Sequence, residues 1–181
     1  HMAHLSEDLD LTFNELVDVL GKVARAEIKT TTEKVDGQNL FLSVDDEGNI
    51  RTARNAGDIK RGGMTPTEYA AKWEGHPAGS AFTNGFKAIT AALKSIDVQK
   101  LRELFSNGQR YINMEIMYPK NPNIIQYTAP HIVIHDLKYV GDSEDVAEED
   151  ANVRESLEEL VELVKGAEIE VDEELWTING P

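Results

Sequence analysis

The run Thr32-Glu33-Lys34-Val35-Asp36-Gly37-Gln38-Asn39 holds residue types that could do covalent chemistry. A lysine amine is a nucleophile only when deprotonated, and cationic neighbours or burial lower its pKa towards that state. A glycine beside it lets the backbone approach a ligand closely. The plain reading of the same run is a surface lysine followed by an Asp-Gly turn between strands. Three later segments carry isolated polar groups among apolar strand residues: Arg54 at the end of Ile50-Arg51-Thr52-Ala53-Arg54, Glu115 within Tyr111 to Tyr118, and His135 in Ile132-Val133-Ile134-His135-Asp136-Leu137. Strand alternation puts Ile112, Met114 and Ile116 on one face, with Asn113, Glu115 and Met117 on the other. A lone carboxylate in such a strand more often faces solvent. Lys60-Arg61-Gly62-Gly63 suits phosphate, because guanidinium groups and open backbone N–H groups bind it. The G-x-x-x-x-G-K-[ST] pattern of a P-loop is absent. His4, His76 and His131 show no metal-ligand spacing with Asp or Glu, so no protein metal site is read from the sequence.

The elements that must position these groups are legible from spacing. Thr12 to Glu15 has capping-box spacing, and Phe13, Leu16, Val17, Leu20 and Val23 predict a helix over 13–24. The β-branched run from Thr30 to Val35, then Leu40 to Val44, then about 50–54 after a tight Asp-Asp-Glu-Gly-Asn turn, predict a β-meander. Residues 55–63 read as a Gly-rich basic loop. Thr65-Pro66-Thr67-Glu68 predicts a helix to about Trp73. Phe82, Phe86, Ile89 and Leu93 mark another, and Asp97 caps a short one ending at Asn107-Gly108. Tyr111 to Tyr118 and Pro130 to Val140 read as strands, with a short one at 124–127 between them. Residues 141–152 read as a flexible acidic loop. Val153, Leu157, Leu160, Val161 and Val164 predict a last helix stopped at Gly166, followed by short strands at 169–171 and 175–178. Such segregated elements predict an α+β fold with antiparallel sheet.

With 181 residues the chain is read as one domain, 1–181, able to bury a real core. It lacks cysteine, which excludes disulfides and thiolate metal sites. No apolar run approaches the ~20 residues of a membrane helix, so no membrane partner is expected and a cytoplasmic setting is the default. The net charge of −15 is uneven: residues 1–137 hold 15 Lys+Arg against 18 Asp+Glu, and residues 138–181 hold 3 against 15. A nearly neutral body with an acidic tail attracts nucleic acid poorly at long range. The acidic helix within it is expected to be dispensable for nucleotide binding, residues 141–165 being the part that could be deleted.

Lys34-Val35-Asp36-Gly37 resembles the K-x-D-G motif of covalent nucleotidyltransferases. Its flanks, Glu33 and Asn39, resemble the version found in RNA ligases, the viral ones most. Arg54, 20 residues past Lys34, is similar to the arginine those ligases place after a hairpin. Tyr111 to Pro119 resembles the ligase strand whose one acid binds the ribose hydroxyls. Ile132 to Leu137 resembles the strand that supplies a ring to stack on the purine, with His135 where the family uses Phe or Tyr. The resemblance covers roughly residues 30–140. It implies the N-terminal part of a ligase-type adenylation domain that forms a lysyl-AMP intermediate at Lys34, with ATP as substrate and Mg²⁺ across its phosphates. It further implies nucleotide contacts from Glu33, Asp36, Gly37, Asn39, Arg54, Glu115 and His135. Lys60 and Arg61 would be further phosphate contacts, RNA or DNA ends the acceptors, and the host cytoplasm the setting for a viral enzyme.

The chain departs from the family in lacking the late E/D-G-[hydrophobic]-V and K-x-K motifs. Glu168-Ile169-Glu170-Val171 comes nearest to the first but has no glycine after the acid. Those motifs are expected beyond Pro181, or catalysis is incomplete. Two alternatives stand beside the enzyme: a nucleotide-binding or structural phage-type protein that keeps the ligase fold without full catalysis, and an interaction module whose acidic tail helix meets a basic partner.

Overall fold

A computed structural model describes residues 37–120, 127–139 and 151–180. All of them belong to one compact unit, 36–181. The helix predicted over 13–24, the strand at 30–35, residues 124–126, and Glu33, Lys34 and Asp36 lie outside the described residues. The fold is α+β. In chain order it runs β1 (Gln38–Val44), β2 (Ile50–Ala53), α1 (Ala56–Lys60), α2 (Pro66–Trp73), α3 (Gly79–Leu93), α4 (Val98–Leu104), β3 (Arg110–Met117), β4 (His131–Tyr139), α5 (Ala151–Val164), β5 (Glu168–Val171) and β6 (Glu174–Asn179). One sheet has the order β2-β1-β3-β4-β6-β5, antiparallel except where β6 runs parallel to β4.

Local chemistry accounts for the element ends. At α2 the Thr65 hydroxyl accepts from the Glu68 N–H (3.2 Å), and the Glu68 carboxylate accepts from the Thr65 N–H (2.7 Å). This reciprocal cap satisfies two amides that the helix itself cannot use, and Pro66 follows where no donor is needed. Asp97 caps α4 through the Gln99 and Lys100 N–H groups. Leu40, Leu42 and Val44 of β1, Ile112, Met114 and Ile116 of β3, and Ile132, Ile134 and Leu137 of β4 join Tyr69, Trp73, Phe82, Ile89 and Leu93 in the main core. Gly85 of α3 permits this packing: a Cβ there would lie 2.6 Å from the Ile116 side chain. That contact also orients β3, with Ile116 towards α3 and Glu115 away from it.

Two expectations are corrected. Residues 55–63 are not an open loop, because Asn55 caps a short helix, α1, by accepting from the Asp58 N–H at 2.9 Å. The signal was present as Asn followed three residues later by Asp, a capping spacing obscured by the nearby glycines. Residues 151–152 belong to α5 rather than to a flexible loop. The acidic helix also contributes to the fold, since Leu160, Val161 and Val164 are buried in the main core. After it, Trp176 and Ile178 of β6 are fully buried beside β4. Net charge describes the exposed side of that helix and says nothing of its apolar stripe.

Candidate functional site

The face of the sheet turned away from α3 carries the polar cluster. Asn39 of β1 lies directly opposite Glu115 of β3, which in turn lies opposite Val133 of β4. The β3–β4 register shifts between Asn113 and Met114, so that Asn113 faces Asp136, Met114 faces Ile134, and His135 is the extra residue of a β-bulge. Without it Ile134 and Leu137, of opposite parity, could not both reach the core. The same irregularity brings His135 to Glu115, with Nε2 3.7 Å from Oε2.

Glu115 does not face solvent. It is 8% exposed, and its Oε2 is buried without a hydrogen-bond partner among the described residues. The His135 contact is longer than a hydrogen bond. A buried carboxylate oxygen left in this state costs desolvation energy until a donor arrives. Beside it the Asn39 Nδ2 donates to Asn113 Oδ1 at 2.6 Å and to the Met114 carbonyl at 3.4 Å. Asn113, itself 4% exposed, is the member of this cluster to which the motif comparison assigned no role. Its place on the Glu115 face was the available signal.

Gly37 lies at the mouth of this cluster. A Cβ there would sit 2.7 Å from the Ile116 carbonyl oxygen and 2.6 Å from Met117 Sδ. The close approach that demands glycine is therefore to β3. The motif's last residue is pinned against the strand that carries Glu115.

Arg54 is elsewhere. Its guanidinium carbon stands 4.3 Å from the centre of the Phe82 ring and 5.5 Å from that of Trp73. Phe82 and Trp73 stack at 3.8 Å on the helix side, in the main core. Arg54 thus sits on the face opposite Glu115 and is not brought together with His135. Burial pulls its pKa below the usual arginine value, opposed by the charges of Tyr69 and Asp58. Its own N–H donates to Asp58 Oδ2 at 3.0 Å, and its Nη1 is buried without a hydrogen-bond partner among the described residues.

Asp58 is the hub of this corner. Its Oδ1 accepts from Arg61 at 2.5 Å, and Lys72 stands 3.9 Å from Oδ2. The Arg54 N–H is the main cause holding the Asp58 carboxyl below its ordinary pKa; burial opposes it, and Lys72 and Arg61 assist. Arg61 is paired with this carboxylate while its side chain stays largely exposed, and Lys60 is exposed at the end of α1. An open groove lined by Trp73, Glu74, His76, Gly79, Ser80 and Thr83 lies between α2 and α3, on the helix side and away from the Glu115 cluster.

Among the described residues no group of three or more His, Asp or Glu could hold a metal. Glu168 and Glu170, the nearest sequence match to the missing acidic motif, are exposed on edge strand β5. No family model matches the chain, and no curated protein matches it.

Proposed function

We propose that this chain is an ATP-dependent ligase-type nucleotidyltransferase domain that forms a lysyl-AMP intermediate at Lys34 and acts on polynucleotide ends, RNA by the resemblance of its flanks. The observation that supports this reading is the buried Glu115 oxygen without a hydrogen-bond partner among the described residues, with Gly37 of the lysine motif packed against the next two residues of the same strand. A vicinal diol fits such an acceptor, and the ribose of ATP supplies one.

In the reaction the unprotonated Lys34 amine attacks the α-phosphorus. An N–P bond forms, the bond to the pyrophosphate oxygen breaks, and the amine proton goes to solvent. Glu115 anchors the ribose, the His135 ring lies against the purine, and Glu33 meets the adenine edge. Mg²⁺ would enter on the phosphates and neutralise the leaving pyrophosphate. Arg54 enters as a scaffold cation on Phe82, not as a phosphate ligand.

The test is incubation with labelled ATP and Mg²⁺, followed by mass spectrometry for a lysine-linked AMP. The adduct is expected at Lys34 and is abolished by both Lys34→Ala and Lys34→Arg, because a guanidinium stays protonated and cannot attack phosphorus. An adduct on another lysine overturns the assignment. ATP binding with no adduct would favour the non-catalytic nucleotide-binding protein.

A further inference from the structure

We infer that Asn113 is a positioning residue, which locks the Asn39 side chain so that its carbonyl oxygen stands beside Glu115 as a second acceptor for a hydrogen-bond donor on the ligand. This rests on the nucleotide reading for the identity of the ligand, but its geometry is independent of it.

An asparagine amide can present either end, and its neighbours decide which. The Met114 carbonyl can only accept, so the Asn39 atom 3.4 Å from it must be the nitrogen. With the nitrogen there, the group of Asn113 at 2.6 Å must be its oxygen, and both hydrogens of the Asn39 amide are committed. That leaves Asn39 Oδ1 as the end of the amide not engaged by Asn113 or Met114. Asn39 and Glu115 are direct cross-strand partners, and such side chains on one face stand about 5 Å apart at Cβ.

Two acceptors on neighbouring cross-strand side chains repel, and the Glu115 oxygen is buried without a hydrogen-bond partner among the described residues. The arrangement is relieved by a ligand group carrying two neighbouring donors, such as a cis-diol. Asn113 serves this without touching the ligand. Were it unable to accept, the Asn39 amide could rotate, and the site would offer a donor and an acceptor interchangeably. The partners are 74 residues apart in sequence, so this constraint on Asn39 comes from the β1–β3 pairing.

The experiment compares Asn113→Leu, which removes the acceptor, with Asn113→Asp, which keeps one in the same place. Two quantities are read: the Asn39 side-chain amide signals in ¹⁵N-labelled protein, and the affinity for ATP relative to its 2′-deoxy and 3′-deoxy analogues. In wild type the Asn39 amide protons should exchange slowly with solvent, and ATP should bind better than at least one deoxy analogue. In Asn113→Leu the amide exchange should accelerate, ATP affinity should fall about fivefold to tenfold, the scale of one lost hydrogen bond, and the preference over the deoxy analogues should shrink. Asn113→Asp should keep the slow exchange and the preference, even though its charge near Glu115 weakens every nucleotide. Should the leucine variant fold poorly, Asn113→Ala removes the same acceptor. Unchanged amide exchange and unchanged preference in the acceptor-less variant overturn the inference. If wild type binds no ATP while the amide exchange responds as described, the positioning role stands and the nucleotide reading falls.

Discussion

Adjacent residues of β3 face two different worlds. Met114 and Ile116 point to the helices and are fully buried among apolar side chains. Asn113 and Glu115, one residue away, are nearly as buried, yet they are polar, and Glu115 keeps an oxygen without a hydrogen-bond partner among the described residues. The helix face is closed in the sense that burial there satisfies every apolar group. The opposite face holds, at Glu115 Oε2, a buried acceptor with no hydrogen-bond partner among the described residues. The difference teaches that burial alone does not distinguish the two sides of β3, whereas the chemistry of the buried groups does: apolar towards α3, polar on the side of Glu115.

The largest expected effect comes from truncating the helix face. Met114→Ala should cost about 2–5 kcal/mol in denaturant unfolding, through lost apolar contact and a residual cavity. Its neighbour should behave oppositely: Glu115→Leu should change stability by less than about 1 kcal/mol or raise it, since it removes an unsatisfied buried acceptor, while weakening nucleotide binding. Equal destabilisation by the two would break the comparison and make Glu115 structural.

Leu160→Ala extends the same test to the acidic helix. A cost of about 2–4 kcal/mol is expected from its full burial, measured by the same unfolding. A negligible cost would return α5 to the role of a detachable tail.

A smaller effect is expected at Asp58, which ties α1 and the Arg54 backbone to the edge of the sheet. Asp58→Asn should cost about 1–3 kcal/mol at neutral pH by weakening charge-assisted bonds. Because its folded pKa is depressed, the carboxylate stabilises the fold above its unfolded value, and that contribution is lost as pH falls through the folded value. Wild type and variant should therefore converge in stability below the ordinary carboxylate range. A gap that persists in acid would show that the effect is not the charge.

The smallest change should be a gain that touches neither face. Asp172 and Glu173, in the turn between β5 and β6, both have left-handed backbones, with φ of 49° and 66°. Glu173→Gly should stabilise by about 1 kcal/mol, since glycine carries no Cβ penalty there. ATP affinity should stay the same; a change in affinity would mean that this edge communicates with the polar face.

The elements of the described residues were largely legible in the sequence. The Thr65–Glu68 cap, the Asp97 cap and the β3 alternation depend on hydrogen bonds and parity within a few residues, so local pattern determines them. The assignment of Glu115 to the face opposite Ile112, Met114 and Ile116 followed from the same parity. Only the tertiary structure decided that Glu115 is buried, that a bulge delivers His135 to it, that Asn113 accepts from Asn39, and that Arg54 turns to Phe82 on the other side. Each of these depends on which strand or helix lies next to which, and on a register between residues tens of positions apart. A single strand's residue pattern carries its own periodicity but not the identity of its neighbour, and that neighbour sets both burial and hydrogen-bond partners.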